Sequence, residues 1–259
     1  MDLNIKGRKA IVCASSRGLG RACAISLAKN GVNIIINGRN KEVLETTKES
    51  INKICSVEVI PVLADLCTKE GQEKILKACP DPDILINNNG GPPFRDFREL
   101  NRDDMIEGLV MNMLTPIDLI SEVIDGMAER KFGRIVNITS LSVKMPIEGL
   151  DLSSGARAGL TAFLAGVTPK FAQHNVTINN LLPGLFATDR LKNSESHAAK
   201  ISGRNPEEIS KERQNSIPAK RYGTANEFGE ACAFLCSLQA GYITGQNLLI
   251  DGGRFSSTF

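Results

Sequence analysis

The chemistry-bearing residues begin at a glycine turn, Ala14-Ser15-Ser16-Arg17-Gly18-Leu19-Gly20, which follows an apolar run and opens an Ala-rich stretch. Glycines between a strand and a helix let backbone approach a pyrophosphate, and the helix adds free N–H groups and the positive end of its dipole. About 20 residues further on, an NAD-selective site places a carboxylate against the ribose 2′-hydroxyl. Here no acid lies between Gly31 and Lys41, and the chain reads Asn37-Gly38-Arg39. Arg39, together with Arg17 in the turn, is suited to clamp a 2′-phosphate through charge-assisted bonds. NADP(H) is therefore expected over NAD(H), the alternative being two ordinary surface arginines. Asp65 is placed either to accept from an adenine amino group or to cap the helix after it. Asn87-Asn88-Asn89-Gly90, followed by Gly91-Pro92-Pro93, is a polar turn that holds a crevice open or closes a tight loop.

These groups need a scaffold, and the hydrophobic pattern supplies one. Short β-branched runs at Lys9–Cys13, Asn33–Asn37, Glu58–Leu63, Asp83–Asn87, Gly133–Thr139, Asn175–Leu182 and Asn247–Ile250 alternate with stretches of helical period near 18–30, 40–54, 69–79, 102–130, 153–173 and 225–239. That alternation predicts repeated βα units on a parallel sheet. Runs such as Ile34-Ile35-Ile36 are apolar throughout, as strands covered on both faces are. Pro116 should break or kink the longest helix. Residues 189–221 depart from the pattern, with little β character, eight basic side chains and five acidic ones. A long excursion of this kind reads as a substrate lid, taken over 185–221, or as a solvated helical insertion without a role.

Composition excludes several classes. The 259 residues carry a net charge of +2, which argues against a general nucleic-acid binder. No uncharged apolar stretch nears the ~18 residues of a membrane span. Seven cysteines without a C-x-x-C pair, and an N-terminus with no apolar leader, predict reduced thiols and a cytoplasmic protein. Two histidines apart from any cysteine pair predict no metal site.

Taken in order, the motifs resemble the short-chain dehydrogenase/reductase family along essentially the whole chain, with the β-ketoacyl carrier-protein reductase-like branch nearest. Ser16-Arg17-Gly18-Leu19-Gly20 resembles the family's glycine motif, Asp65-Leu66 its adenine-side acid, and Asn87-Asn88-Asn89-Gly90 its Asn-Asn-Ala-Gly, with Asn89 replacing Ala. Pro183-Gly184, with Thr188 beyond it, resembles the nicotinamide-contacting segment, and Tyr242 to Gln246 with Asp251-Gly252-Gly253 resembles the C-terminal signature. The resemblance implies one Rossmann-type α/β domain over 1–259, a doubly wound seven-stranded parallel sheet with helices on both faces. It also implies a homotetramer built on the helices near 102–130 and 153–173. Cofactor contacts carried over are Ser16, Arg17, Gly18, Leu19, Gly20, Arg39, Asp65, Leu66, Asn88, Asn89, Gly90, Arg157, Pro183, Gly184 and Thr188.

Two positions depart from the family pattern. Cys13-Ala14 stands where Thr-Gly is usual, which a tight turn accepts if the Ala14 φ stays negative. Family catalysis uses an Asn, a Ser and a Tyr-x-x-x-Lys pair. Asn112 and Ser140 match the first two, but Ser153 and Arg157 stand at the Tyr and Lys positions. This Ser-x-x-x-Arg variation, with the Gly-Gly-Pro-Pro turn, resembles a divergent reductase-like branch. A serine hydroxyl is a far weaker acid than a phenol of pKa ~10, and arginine does not shuttle protons. Ser140 and Ser153 can instead polarise a carbonyl, while Arg157 holds positive charge beside the developing alkoxide or binds ribose hydroxyls. The proton then comes from water relayed through Asn112, from Glu148, Asp151 or His197, or is not needed. The expected function is NADP(H)-dependent hydride transfer to a small-molecule carbonyl or thioester, 3-oxoacyl thioesters included. The alternatives are a dinucleotide-binding sensor module without turnover and an enoyl reductase on the same scaffold.

Overall fold

The apolar runs fold into seven short strands: β1 (Lys9–Val12), β2 (Asn33–Gly38), β3 (Val59–Leu63), β4 (Ile84–Asn87), β5 (Gly133–Ile138), β6 (Val176–Pro183) and β7 (Asn247–Ile250). All pair in parallel, in the order β3-β2-β1-β4-β5-β6-β7. The computed structural model describes residues 1–92 and 94–257, so Pro93 of the polar turn lies outside the described residues. The helices are α1 (Gly18–Lys29), α2 (Lys41–Asn52), α3 (Lys69–Ala78), α4 (Arg102–Leu109), α5 (Thr115–Glu129), α6 (Asp151–Ala172), α7 (Asp189–Ser202), α8 (Pro206–Asn215) and α9 (Ala225–Leu235). The strand order reverses between β1 and β4, which opens the crevice where doubly wound sheets bind ligands.

Alternate strand residues feed two cores. Ala10, Val12, Ile34, Ile36, Ile84 and Ile86 pack under α1 and α9, whereas Ile11, Ile35 and Leu85 face α5 and α6. The seven cysteines are free thiols, five of them buried, and burial pushes Cys13 up to about 12. They fill space as small apolar groups. Among the described residues no helix is long and apolar enough to cross a membrane, and no cluster of three His, Cys, Asp or Glu is placed to hold a metal.

The structure refines the helices at three places. The stretch 102–130 is not one helix: α4 and α5 are joined by a π turn over Val110–Leu114, in which the Thr115 N–H donates to the Val110 carbonyl. Pro116 lies in the first turn of α5, where its missing N–H is tolerated, yet it leaves the carbonyl four residues back, that of Asn112, without its usual donor. The 189–221 stretch is largely helical. Thr188 caps α7, Gly203 ends it at φ +66°, and Asn205 caps α8, with Pro206 at its first position. These signals stand in the sequence but follow a charged rather than an apolar period. The last helix stops at Leu235 instead of 239, with Cys236 as its C-cap.

A row of amides crosses β4, β5, β6 and β7 and ties this half of the sheet together. Asn87, Asn137, Asn180 and Asn247 are register partners on β4, β5, β6 and β7. Each donates Nδ2–H to the Oδ1 of the next, at 2.9, 3.0 and 2.8 Å. Asn137 is in the middle of this row and fully enclosed. Asn137→Ala strands a buried donor on one side and a buried acceptor on the other, each costing ~1–3 kcal/mol. Urea unfolding is expected to show a loss of about 2–4 kcal/mol with an unchanged m value.

Candidate active site

The glycine turn sits in the crevice between β1 and β4. Its last glycine is required by contact: a Cβ on Gly20 would lie 2.5 Å from the Ala14 carbonyl oxygen and 2.6 Å from Asn88 Nδ2. Asn88 donates to the Ala14 carbonyl at 3.1 Å and so ties the β4 turn to the glycine turn. Ala14 itself has φ +42°, contrary to the negative φ expected of it. Its backbone is held there by the Asn37 side chain, which accepts from its N–H at 3.2 Å, and by Asn88 on the other side.

Helix α1 begins at Arg17 with no side-chain cap and no acid in its first turn, unlike α2, α3, α4, α7, α8 and α9. A Cβ on Gly18 would meet nothing within 4 Å, so open space faces those uncapped N–H groups. A pyrophosphate fits this cradle by charge and by room. Beside it, a cavity of about 370 Å³ is lined by Arg39, Ala64, Asp65, Thr68 and Lys74. Arg39 reaches Asp65 at 3.5 Å, and both are exposed, so the pair is weak and open to competition by a phosphate. The Arg17 side chain has no partner among the described residues. Asp65 does not cap α3; its Oδ1 accepts from the Cys67 N–H at 3.0 Å, and Thr68 is the cap. Leu66 is buried under this loop. Asn89 is engaged by protein, donating to the Met111 carbonyl at 3.1 Å and to Cys67 Sγ at 3.3 Å. It couples the β4 turn to the π turn, a tie that the family's Ala cannot make.

Across the crevice, Ser140 follows β5 and accepts from the Ser142 N–H at 3.1 Å, capping a short turn. Ser153 and Arg157 lie one turn apart on the buried face of α6, 4% and 8% exposed. Arg157 donates Nε–H to Ser153 Oγ at 3.1 Å and Nη1–H to the Ile138 carbonyl at 2.7 Å, two residues before Ser140. Burial, and then the field of Arg190, push this guanidinium down to about 10, which still leaves it a cation at neutral pH. Asn112 lies in the π turn, donating to the Gly90 carbonyl at 3.2 Å, while its Oδ1 is buried with no partner among the described residues. π turns within helices often mark functional sites. Pro183 pairs with Ile250 at the end of β6, the Gly184 N–H bonds the Ile250 carbonyl, and Thr188 caps α7.

The remaining candidates fall away from this group. Glu148 and Asp151 are exposed, and His197 is exposed two residues off the α7 face that buries Leu191, Glu195 and Ala199. Tyr222, just past the 189–221 segment, donates to Glu195 within it at 2.6 Å, and Tyr242 is fully exposed, so neither supplies a phenol here.

Residues 13–254 match the family model described as enoyl-(acyl carrier protein) reductase. The chain belongs to the short-chain dehydrogenase/reductase family. Among relatives, it is 33% identical to the NADPH-dependent reductase BacG of Bacillus subtilis, over 96% of this chain and 98% of that one. It is 31% identical to the 3-oxoacyl-[acyl-carrier-protein] reductase FabG of Aquifex aeolicus, over 98% and 100%. Of solved structures, YwfH, described as an NADPH-dependent reductase involved in bacilysin biosynthesis, superposes with a TM-score of 0.90 at 33% identity, over 96% of this chain and 99% of that one. The family's fold is the seven-stranded arrangement found here, and the relatives' NADPH dependence agrees with the expectation drawn from Arg17 and Arg39.

Within this family member, the Ala14 conformation is the strained element of the site. Left-handed backbone costs a non-glycine residue about 1 kcal/mol. Ala14→Gly is therefore expected to raise Tm by about 2 °C in a thermal melt, net of the entropy glycine adds to the unfolded chain.

Proposed function

We propose that the protein transfers hydride between NADP(H) and a small-molecule carbonyl, 3-oxoacyl thioesters among the candidates, using Ser153 and Arg157 where the family resemblance implies Tyr and Lys. The observation that carries this is the buried Ser153–Arg157 pair anchored on Ile138. Because Ser153 Oγ accepts from Nε, its own O–H is free to donate to a substrate oxygen. Ser153 and Ser140 then act as hydrogen-bond donors to the developing alkoxide, not as acids, and Arg157 holds a fixed positive charge beside it. Bound NADPH supplies the hydride. The proton reaches the substrate oxygen from water, for which the unpartnered Asn112 Oδ1 is the ordering acceptor.

Cofactor roles follow the same placement. Ser16, Gly18, Leu19 and Gly20 hold the pyrophosphate, Arg17 and Arg39 the 2′-phosphate, Asp65 and Leu66 the adenine side. Asn88, Asn89 and Gly90 shape the β4 turn, while Arg157, Pro183, Gly184 and Thr188 serve the nicotinamide end. The 185–221 segment is the substrate lid, hinged where Phe186 bridges to Gly223. Exposed Met105, Ile106 and Leu109 on α4, Phe163 on α6 and the open β7 edge support a homotetramer, and the free thiols suit a reducing cytoplasm.

The test is NADPH oxidation across a panel of carbonyl compounds that includes a 3-oxoacyl thioester. Turnover is expected, with kcat lowered ~10–100-fold in Ser153→Ala and ~100-fold or more in Arg157→Met. NADPH binding without turnover on any panel member, alongside an active Ser153→Tyr/Arg157→Lys enzyme, would overturn the reading in favour of a binding module. For the cofactor, Arg17→Ala and Arg39→Ala should each raise the NADPH Kd about tenfold and leave NADH binding nearly unchanged, read by fluorescence titration.

A further inference from the structure

Among the described residues the cleft holds two guanidinium groups, Arg157 and Arg190, neither of which has an ion-pair partner. Arg134, the other buried arginine, shows how this chain satisfies such a group. There Nε, Nη1 and Nη2 all donate to protein oxygens, and the Phe132 ring lies 4.4 Å from the guanidinium carbon. Arg157 differs. Its Nη2 has no partner among the described residues, no carboxylate is within ion-pair range, and the one charged group whose field reaches it is a second cation, Arg190.

Arg190 lies in the first turn of α7, just past the Thr188 cap. Its side chain makes no hydrogen bond or ion pair among the described residues, not even with the adjacent Asp189. The residue as a whole is exposed, but its guanidinium rests on Gly91, where a Cβ would come within 2.6 Å of Nη2 and 3.0 Å of Nη1. Gly91 follows Gly90, whose carbonyl receives Asn112. The Arg190 head is therefore on the loop whose Gly90 carbonyl holds the Asn112 side chain. The cradle for pyrophosphate, by contrast, is the uncapped start of α1, tied through Asn88 to Ala14. Two like charges brought together without an anion destabilise one another, and a bound anion relieves both.

Resting on the hydride-transfer reading, we propose that the substrate is an oxo acid whose free carboxylate is received by Arg190 on Gly91, in front of the open Nη2 of Arg157. The planar fork of arginine matches a carboxylate in a bidentate way that water does not. Arg190 thus sets specificity for a charged acid over its neutral derivatives. Arg157, already fixed by Ser153 and Ile138, contributes field rather than a second clamp.

The experiment is a calorimetric titration of the NADP⁺-saturated enzyme with short- to medium-chain 2-, 3- and 4-oxo acids, each beside its methyl ester. At least one acid is expected to bind about tenfold or more tightly than its ester. Arg190→Met should erase that preference while shifting the NADPH Kd less than about threefold, and Arg190→Lys should restore it in part. Gly91→Ala, which only displaces the far end of the Arg190 side chain, should weaken the acid and spare the ester. No preference for any acid, or an Arg190→Met enzyme that loses NADPH affinity instead, would overturn the proposal, the latter reassigning Arg190 to the cofactor phosphates. Because the readout is binding, acids held without any NADPH oxidation would refute the reductase reading alone, and esters reduced as well as acids would refute this one alone.

Discussion

The amide row across β4, β5, β6 and β7 is the interaction on which the positions of the functional groups depend. Each asparagine donates to the next, so the four strands are fixed in register relative to one another. From the carboxyl ends of β4, β5 and β6 rise the β4 turn with Asn88 and Asn89, the Ile138–Ser140 segment that anchors Arg157, and Pro183 with the 185–221 segment behind it. A buried amide network of this kind gives register as well as stability, since a slipped strand leaves donors unpaired in a low-dielectric interior. Asn37 extends the same logic to β2, where its side chain bonds the Ala14 N–H and the Val62 and Ala64 carbonyls.

On that frame the chain carries an unusual electrostatic arrangement. Replacing a phenol and an ammonium by a hydroxyl and a guanidinium removes the titrating acid and leaves a permanent charge. Arg157 is held by neutral acceptors alone. Such a charge costs folding free energy while the cleft is empty and favours anions when it is filled. In the mechanism proposed above, cofactor, alkoxide and carboxylate compete for that field, and Arg190 adds to it from α7.

The helical side of the cleft shows a second compromise. A continuous helix from α4 to α5 would bond every carbonyl internally. The π turn and Pro116 instead free groups at Asn112, and Asn89 bonds the Met111 carbonyl from the β4 turn. Asn112 Oδ1 is left buried without a partner among the described residues.

By itself the sequence determined the strands, because runs such as Ile34-Ile35-Ile36 can only be buried on both faces. It determined the glycine turn, through the close approach at Gly20, and the absence of a phenol and an ammonium at 153 and 157, which is plain from residue type. Helices α7 and α8 were legible only through their caps, since a charged helix has no apolar period to read. Tertiary structure alone decided the rest. The left-handed Ala14 depends on bonds from Asn37 and Asn88, which are far away in sequence. The ladder depends on register between strands that no local pattern specifies. That Arg157 and Arg190 have no ion-pair partner among the described residues depends on how the 32 intervening residues fold, because a charge's partners are set by distance in space and by burial, not by spacing along the chain.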